Sequence, residues 1–182
     1  EPSLVNRKIM GSTPVKKANE IDSIQEVESV TQKISDDLNK IGINYNFSPV
    51  VDMSPNATVG YRSFGKNPEN IIPWSNQFIQ TTQQNNIIAT AKHFPGHGLV
   101  SGDTHKSLQV INGPLQEIQN YPPLIKNGVL SIMVAHIAIE NNEIFSTDGL
   151  PSTCSRKVVH DLLRDSLKFK GLIVTDAMNM GG

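Results

Sequence analysis

An α/β chain with parallel strands, forming part of a barrel, is the architecture the sequence predicts, and three observations predict it. Stretches with apolar residues at three- and four-residue steps alternate with short runs that are apolar on both faces, as helices covering a parallel sheet require. Four of those runs stop at a chemical group: Asp52, His93 with Lys92, His136 and Asp176. Reactive groups at every strand end suit a TIM-like (β/α)8 barrel, whose site gathers at the C-terminal ends of its strands, better than an open sheet with one crevice. Such a barrel takes about 250 residues and eight strands. Only four strands are visible in these 182 residues, so the barrel is expected to be incomplete, a single partial domain over 1–182.

Residues 1–20 lack periodicity and carry Gly11, Ser12 and Pro14, which reads as loop or a short strand entering the sheet. From Ser23 the pattern turns helical. Ile24, Val27, Val30, Ile34, Leu38 and Ile41 share a face, Ser23 and Glu26 match a capping box, and Gly42 supplies the stop. Residues 43–52 follow as a strand that ends on a carboxylate and opens into Pro-, Asn- and Gly-rich sequence around Arg62. A second helix spans about 70–84, with Pro73 in its first turn, where a missing N–H is tolerated. The strand 87–91 then runs into a glycine-rich loop. A third helix over 115–126, made irregular by Pro122 and Pro123, leads to the apolar strand 129–136 and then to a loop. Val158, Val159, Leu162, Leu163 and Leu167 mark a fourth helix closed near Gly171, and 172–176 is the last strand.

At 20.0 kDa, with 37% hydrophobic and 18% charged residues, the chain can bury one substantial core. A net charge of -1 without any long Lys/Arg cluster lacks the footprint of a nucleic-acid binder and favours a compact neutral ligand. No apolar run approaches the length that spans a membrane. Glu1-Pro2-Ser3 is neither an initiator methionine nor a signal peptide, so the start reads as cut. The lone Cys154 excludes an intrachain disulfide and neither requires nor forbids an oxidising compartment; the cytoplasm is the expected location, with an exported or periplasmic one left open.

The densest chemistry lies in Lys92-His93-Phe94-Pro95-Gly96-His97-Gly98, continuing through Gly102 to Asp103-Thr104-His105. Three of the five histidines, a lysine and an aspartate fall there among glycines, where a strand gives way to a loop. Such groups suit proton transfer or ligand binding better than a core, and the loop reads as the active-site loop of an enzyme. Asp103 and His105, two apart, can form a pair in which the acid fixes the imidazole's tautomer and raises its basicity. The alternative is an exposed pair in a polar turn. Asp176 ends a buried run, where an unpaired charge is costly, so it faces a polar pocket, carries a salt bridge or caps a following helix. Lys92, His93 and Arg62 can donate to hydroxyls or phosphates, or else neutralise Asp52 and Asp176. His97 reads as turn-stabilising, His136 as a histidine at the rim and His160 as solvated. There is no dinucleotide fingerprint, no P-loop, and no Ser or Cys in a nucleophile elbow.

The Lys92–Gly98 heptapeptide followed by Asp103-Thr104-His105 resembles the KHFPGHG and D-S/T-H signature of family 3 glycoside hydrolases of the bacterial β-N-acetylglucosaminidase branch. The stretches Asn46-Phe47-Ser48-Pro49-Val50-Val51-Asp52, Gly60-Tyr61-Arg62-Ser63-Phe64-Gly65, Val134-Ala135-His136 and Val174-Thr175-Asp176-Ala177-Met178-Asn179-Met180 agree with it in order. The resemblance implies a TIM-like barrel and a retaining mechanism on terminal non-reducing N-acetyl-β-D-glucosaminides, peptidoglycan fragments among them. It implies Asp176 as nucleophile, His105 as acid and base oriented by Asp103, and a sugar site made by Arg62, Lys92 and His93 with His136 and Asp52. A histidine in the acid/base place departs from the two carboxylates most glycosidases use. No metal and no cofactor is implied. The family's upstream D-Q-E-G-G-R segment and last barrel strand are not in the sequence, so a fragment or a truncated paralogue is expected.

Two other readings stay open on the residues. A metal-dependent barrel hydrolase would use His93, His97, His105, His136 and the aspartates, although Pro95 and Gly96 interrupt the helical spacing that would aim His93 and His97 at one ion. A sugar-binding module without catalysis would need Arg62 and Lys92 but not Asp176. The expected partner is a carbohydrate, with neither nucleic acid nor membrane. An incomplete barrel leaves sheet edges and apolar helix faces uncovered, so self-association is expected too.

Overall fold

The computed structural model describes residues 1–3 and 10–181. Of the stretch 1–20, expected as loop or an entering strand, residues 4–9 lie outside the described residues; 10–17 form neither helix nor strand, and Ala18–Glu20 make a 3-10 turn. Helix α1, Ile24–Lys40, forms as its spacing requires: Val27, Val30, Ile34 and Leu38 are buried, whereas Ile24 and Ile41, at and just past its ends, are exposed. Ser23 Oγ accepts the N–H of Glu26 at 3.2 Å. The Glu26 carboxylate accepts from Asp22 (3.1 Å) instead of Ser23, so only half of the expected capping box closes. Gly42, at φ 76°, donates to Asn39 while Ile43 donates to Leu38, and these two bonds satisfy carbonyls of the last turn.

Strand β1 is only Tyr45–Asn46. The run expected over 43–52 is broken because Pro49 has no N–H for the ladder, and pairing resumes as a single bridge from Val50 to Lys92. Helix α2, Pro68–Gln84, starts earlier than its periodicity suggests, so Pro68 takes the first position and Pro73 falls inside the helix, in the second turn. Strand β2, Ile88–Phe94, continues through Lys92 and His93. After it come β3, Gln109–Asn112, a 3-10 turn over Gln116–Asn120, and α3, Tyr121–Lys126, which places Pro122 and Pro123 in its first turn. Then follow β4, Ser131–Val134, β5, Ile137–Glu140, a π-helix over Lys157–Ser166, and β6, Leu172–Thr175. The π-helix buries Val158, Leu162 and Leu163, whose steps fit its wider turn as well as they fit the α-helix expected.

Strands β1, β2, β4 and β6 lie side by side in that order, all parallel, and β3 pairs with β5 in a separate parallel ribbon. The loop expected after His136 is therefore a strand: the chain leaves the main sheet at Ala135-His136 and enters the ribbon directly. The result is an α/β half-barrel. Among the described residues β1 and β6 are each paired on one side only. Ala89, Ala91 and Phe94 of β2 and Ile132 and Val134 of β4 pack with Ile71, Ile79, Tyr121, Leu124 and Leu163 in the main core. Each fully buried Ile, Leu or Phe there contributes about 1.5–3 kcal/mol, and the sum fixes the strand ends that bear the site. No helix among the described residues is long and apolar enough to cross a membrane.

Candidate active site

Because the main sheet is parallel, Asp52, Lys92-His93, His136 and Asp176 all emerge at one end of it. Between Ala91 and Phe94, β2 carries one residue more than β4, since Ala91 lies opposite Ile132 and Phe94 opposite Val134. That bulge re-aims the two side chains between them, Lys92 and His93. The Lys92-His93 and Phe94-Pro95 peptide bonds are cis.

Asp52 is 1% exposed and sits behind His93. Its Oδ2 is 2.7 Å from His93 Nδ1, and its Oδ1 accepts the N–H groups of His93 (3.1 Å) and His97 (2.9 Å). The carboxylate holds the proton on Nδ1 and leaves Nε2 as the ring atom free to meet a ligand. Burial works against the Asp52 charge, but the two histidines and the N–H of His97 outweigh it and hold its pKa below the usual carboxylate range. The same burial pushes the His97 pKa down despite the attraction of Asp52. His97 Nε2 lies 3.4 Å from Thr104 Oγ1, which suits the expected turn-stabilising role.

Arg62 and Lys92 converge on one carboxylate, and it is neither Asp52 nor Asp176. Glu1 bridges them: Arg62 Nε and Nη2 donate to its two oxygens at 2.7 and 3.1 Å, and Lys92 Nζ stands 3.3 Å away. Burial raises the Glu1 carboxyl, yet Lys92 and Arg62 win and hold its pKa at about 2. Burial likewise lowers the Lys92 pKa, opposed chiefly by Glu1 and in smaller part by Asp176. The two cations thus present a fork and a point charge to a pair of neighbouring oxygens, the geometry that also suits vicinal hydroxyls.

Asp103 and His105 form the expected pair: Oδ1 accepts the backbone N–H of His105 (3.0 Å) and lies 2.7 Å from its Nδ1. The imidazole is 59% exposed and lines a cleft of about 830 Å³ together with Arg62, Tyr61, Asn56 and Lys106. The backbone N–H and then the ring of His105 lower the Asp103 pKa. Asp176 is half-buried. Its N–H donates to Val134 O (2.9 Å), its Oδ1 accepts from Ala177 (2.8 Å), and Oδ2 has no partner among the described residues. It caps no helix there. The turn that follows β6 meets the motif loop, for Gly181 N–H donates to the carbonyl of His105 at 3.2 Å.

His136 occupies both ring nitrogens inside the protein, Nδ1 with Thr153 Oγ1 (2.9 Å) and Nε2 with the carbonyl of Ala177 (3.1 Å). It therefore positions the turn after Asp176 and does not face a sugar, and Asp52 likewise supports His93 from behind. His160 pairs with Asp161 and Asp165 at the surface, as expected. Of the residues a metal site would gather, Asp52, His93 and His97 form a buried group of three with ligand atoms within 4.8 Å of one another, and the Asp52 oxygens are already engaged. His105 and His136 stand apart from them.

Three contributors have no signal in the sequence. Glu1 and Glu117 lie outside the motif, and Asn56, which donates to the carbonyls of Val100 (2.5 Å) and Gly102 (3.0 Å), sits in a loop of polar residues. The glycines of the motif are legible for a packing reason. A Cβ on Gly98 would collide with the Met53 carbonyl and come within 2.7 Å of Glu117 Oε1. Gly98→Ala is expected to cost about 1–3 kcal/mol, read as a lower denaturation midpoint; a variant as stable as the parent would mean that the loop takes another path.

Comparison with known proteins shows the family. Residues 11–182 match the Glycosyl hydrolase family 3 N terminal domain. A β-hexosaminidase of Hydrogenovibrio crunogenus is 30% identical over 171 residues, which are 90% of this chain and 46% of that protein. The structure of a family 3 β-N-acetylglucosaminidase from Paenibacillus sp. superposes with a TM-score of 0.87 at 30% identity, over 96% of this chain and 35% of that one. NagZ from Neisseria gonorrhoeae, solved with N-trifluoroacetyl-D-glucosamine, gives 0.83 at 26% identity, over 96% and 55%. The chain thus spans about half or less of the relatives it matches. With the domain match running through nearly all of its length, the chain belongs to glycosyl hydrolase family 3.

Proposed function

We propose that this stretch bears the catalytic face of a retaining glycoside hydrolase that removes terminal non-reducing N-acetyl-β-D-glucosamine, with peptidoglycan fragments as substrates. The observation that carries the reading is the Asp103–His105 pair, an imidazole held by a carboxylate and exposed to a cleft that also contains Arg62. The names of the relatives support the sugar class. Their greater length supports a TIM-like (β/α)8 barrel of which the half-barrel is part.

In the first step Asp176 Oδ2 attacks the anomeric carbon and the bond from that carbon to the leaving oxygen breaks. His105, charged and held at Nδ1–H by Asp103, gives its Nε2 proton to that oxygen. The neutral ring keeps its Nδ1 proton on Asp103, so Nε2 is left with a lone pair. In the second step Nε2 takes a proton from water, the hydroxide oxygen bonds to the anomeric carbon, and the ester to Asp176 breaks. Two inversions give retention. Arg62, Lys92 and His93 Nε2 hold the sugar hydroxyls.

Steady-state cleavage of an aryl N-acetyl-β-glucosaminide, beside the matching β-glucoside, tests the reading. Turnover preferring the N-acetyl sugar is expected. Equal or reversed preference would overturn the sugar assignment, and no turnover by folded protein would overturn catalysis by this stretch and favour sugar binding alone.

A further inference from the structure

Glu117 has no part in the steps above, yet it is 4% exposed and directs its carboxyl at the motif loop. It lies in the 3-10 turn before α3, outside every motif. Its Oε1 accepts the N–H of Met53 at 2.6 Å and of Gly98 at 3.2 Å; its Oε2 accepts from Gly98 at 3.0 Å and from Leu99 at 3.2 Å. All of its hydrogen-bond partners are backbone donors. Met53 follows Asp52, and Gly98 follows His97, so two neighbouring carboxylates grip successive amides of one turn: Asp52 takes His93 and His97, Glu117 takes Gly98 and Leu99. Gly96 and Gly98 leave no room for a side chain against Glu117, which would stand 2.6 Å from a Cβ on Gly96. The residues that follow Leu99 run on to Asp103 and His105.

We propose that Glu117 is a positioning residue: by tying Gly98 and Leu99 to Met53 it fixes the path of the loop and thereby the place of the Asp103–His105 pair over the sugar site. Its effect on turnover rests on the hydrolase reading; its grip on the loop does not. The titratable groups around it are Asp52, Tyr121 and, behind Asp52, the His93 and His97 rings. Burial first and the Asp52 charge second push the Glu117 pKa up to about 8, and the same surroundings push the buried Tyr121 phenol well above its usual range. Both oxygens accept backbone N–H groups, so a proton on either weakens contacts that hold the loop, that from Gly98 among them. Deprotonation tightens the turn. His97 titrates on the other side of neutrality, its pKa being depressed, so the two events are separable.

The test uses the whole chain and two readouts. Amide proton resonances of Gly98 and Leu99 are followed against pH in the parent and in Glu117→Gln, and kcat/KM for the aryl N-acetyl-β-glucosaminide is measured in parallel, with Glu117→Asp as a second variant. The expected result is a downfield movement of both amides as pH rises through about 8 in the parent and none in Glu117→Gln. Glu117→Gln is expected to lose about 10- to 100-fold in kcat/KM through misplacement of His105, with partial recovery in Glu117→Asp. A folded Glu117→Gln chain whose Gly98 and Leu99 amide resonances match the parent's overturns the proposal, and so does one within about twofold of the parent's kcat/KM, less than 1 kcal/mol. A parent that titrates as expected but turns over neither glycoside overturns the hydrolase reading and leaves the loop clamp standing.

Discussion

Asp176→Ala is expected to lower kcat/KM for an aryl N-acetyl-β-glucosaminide by more than about 10³-fold. Among the described residues the side chain accepts one hydrogen bond, from the N–H of Ala177, and its carboxylate is half-buried, so the fold loses little: about 1 kcal/mol for a hydrogen bond of this kind. The anchor of the strand end is the backbone bond from Asp176 N–H to Val134, which alanine keeps. Loss of activity without loss of structure is therefore the expected signature, checked by circular dichroism beside the rate. Removing the carboxylate also opens space in the proposed nucleophile's place. Azide entering there should restore part of the rate and give a glycosyl azide of inverted configuration, whereas the parent is expected to give a retained product. A loss of only tenfold, about 1.4 kcal/mol, would take Asp176 out of the nucleophile's place.

The parts of this site that were legible in the sequence are those whose chemistry and spacing are local. Asp103 and His105 are two residues apart, so their pairing needs only a turn, and the turn is there. Runs that are apolar on both faces reveal parallel strands because helices must cover them. The β3–β5 ribbon was hidden for a related reason: Ile137, Ala138 and Ile139 continue the apolar run of β4, and nothing in composition marks where the chain changes sheets. Pro49 shortened β1 through a missing donor that a hydrophobic pattern does not register. The carboxylates of Glu1 and Glu117 were illegible altogether. Their partners come from distant segments, Glu117 bonding Met53, Gly98 and Leu99, and neither has a fixed interval to any of them.

That contrast bears on how the loop is held. At its far end the His105 ring is exposed to the cleft, while its buried end is fastened by charges that only tertiary structure brings together. Asn56 grips the carbonyls of Val100 and Gly102 midway between the two. A fastened base under an accessible imidazole supplies both the order and the access that acid–base catalysis on a loop requires.

The base should fail first if Asp52 is removed. Asp52→Ala is expected to cost about 3–5 kcal/mol, because it leaves His93 Nδ1–H and two backbone N–H groups without their acceptor in a buried site. For a chain of this length that is roughly 6–20 °C in Tm. The pH dependence has a definite sign. The folded-state pKa of Asp52 is depressed, so its contribution is fully present above the unfolded carboxylate value, about 3.9, and is lost as pH falls through the folded value. The stability gap between parent and Asp52→Ala should accordingly close in acid, as the parent's own carboxyl takes up a proton. Asp52→Asn separates charge from shape. Its amide can still accept the two backbone N–H groups, but its –NH2 faces His93 Nδ1 and forces the proton to Nε2, which reverses what that ring offers the sugar. A higher KM with most of the stability kept is the result expected of Asp52→Asn, and an unchanged KM would mean that His93 Nε2 makes no contact with substrate.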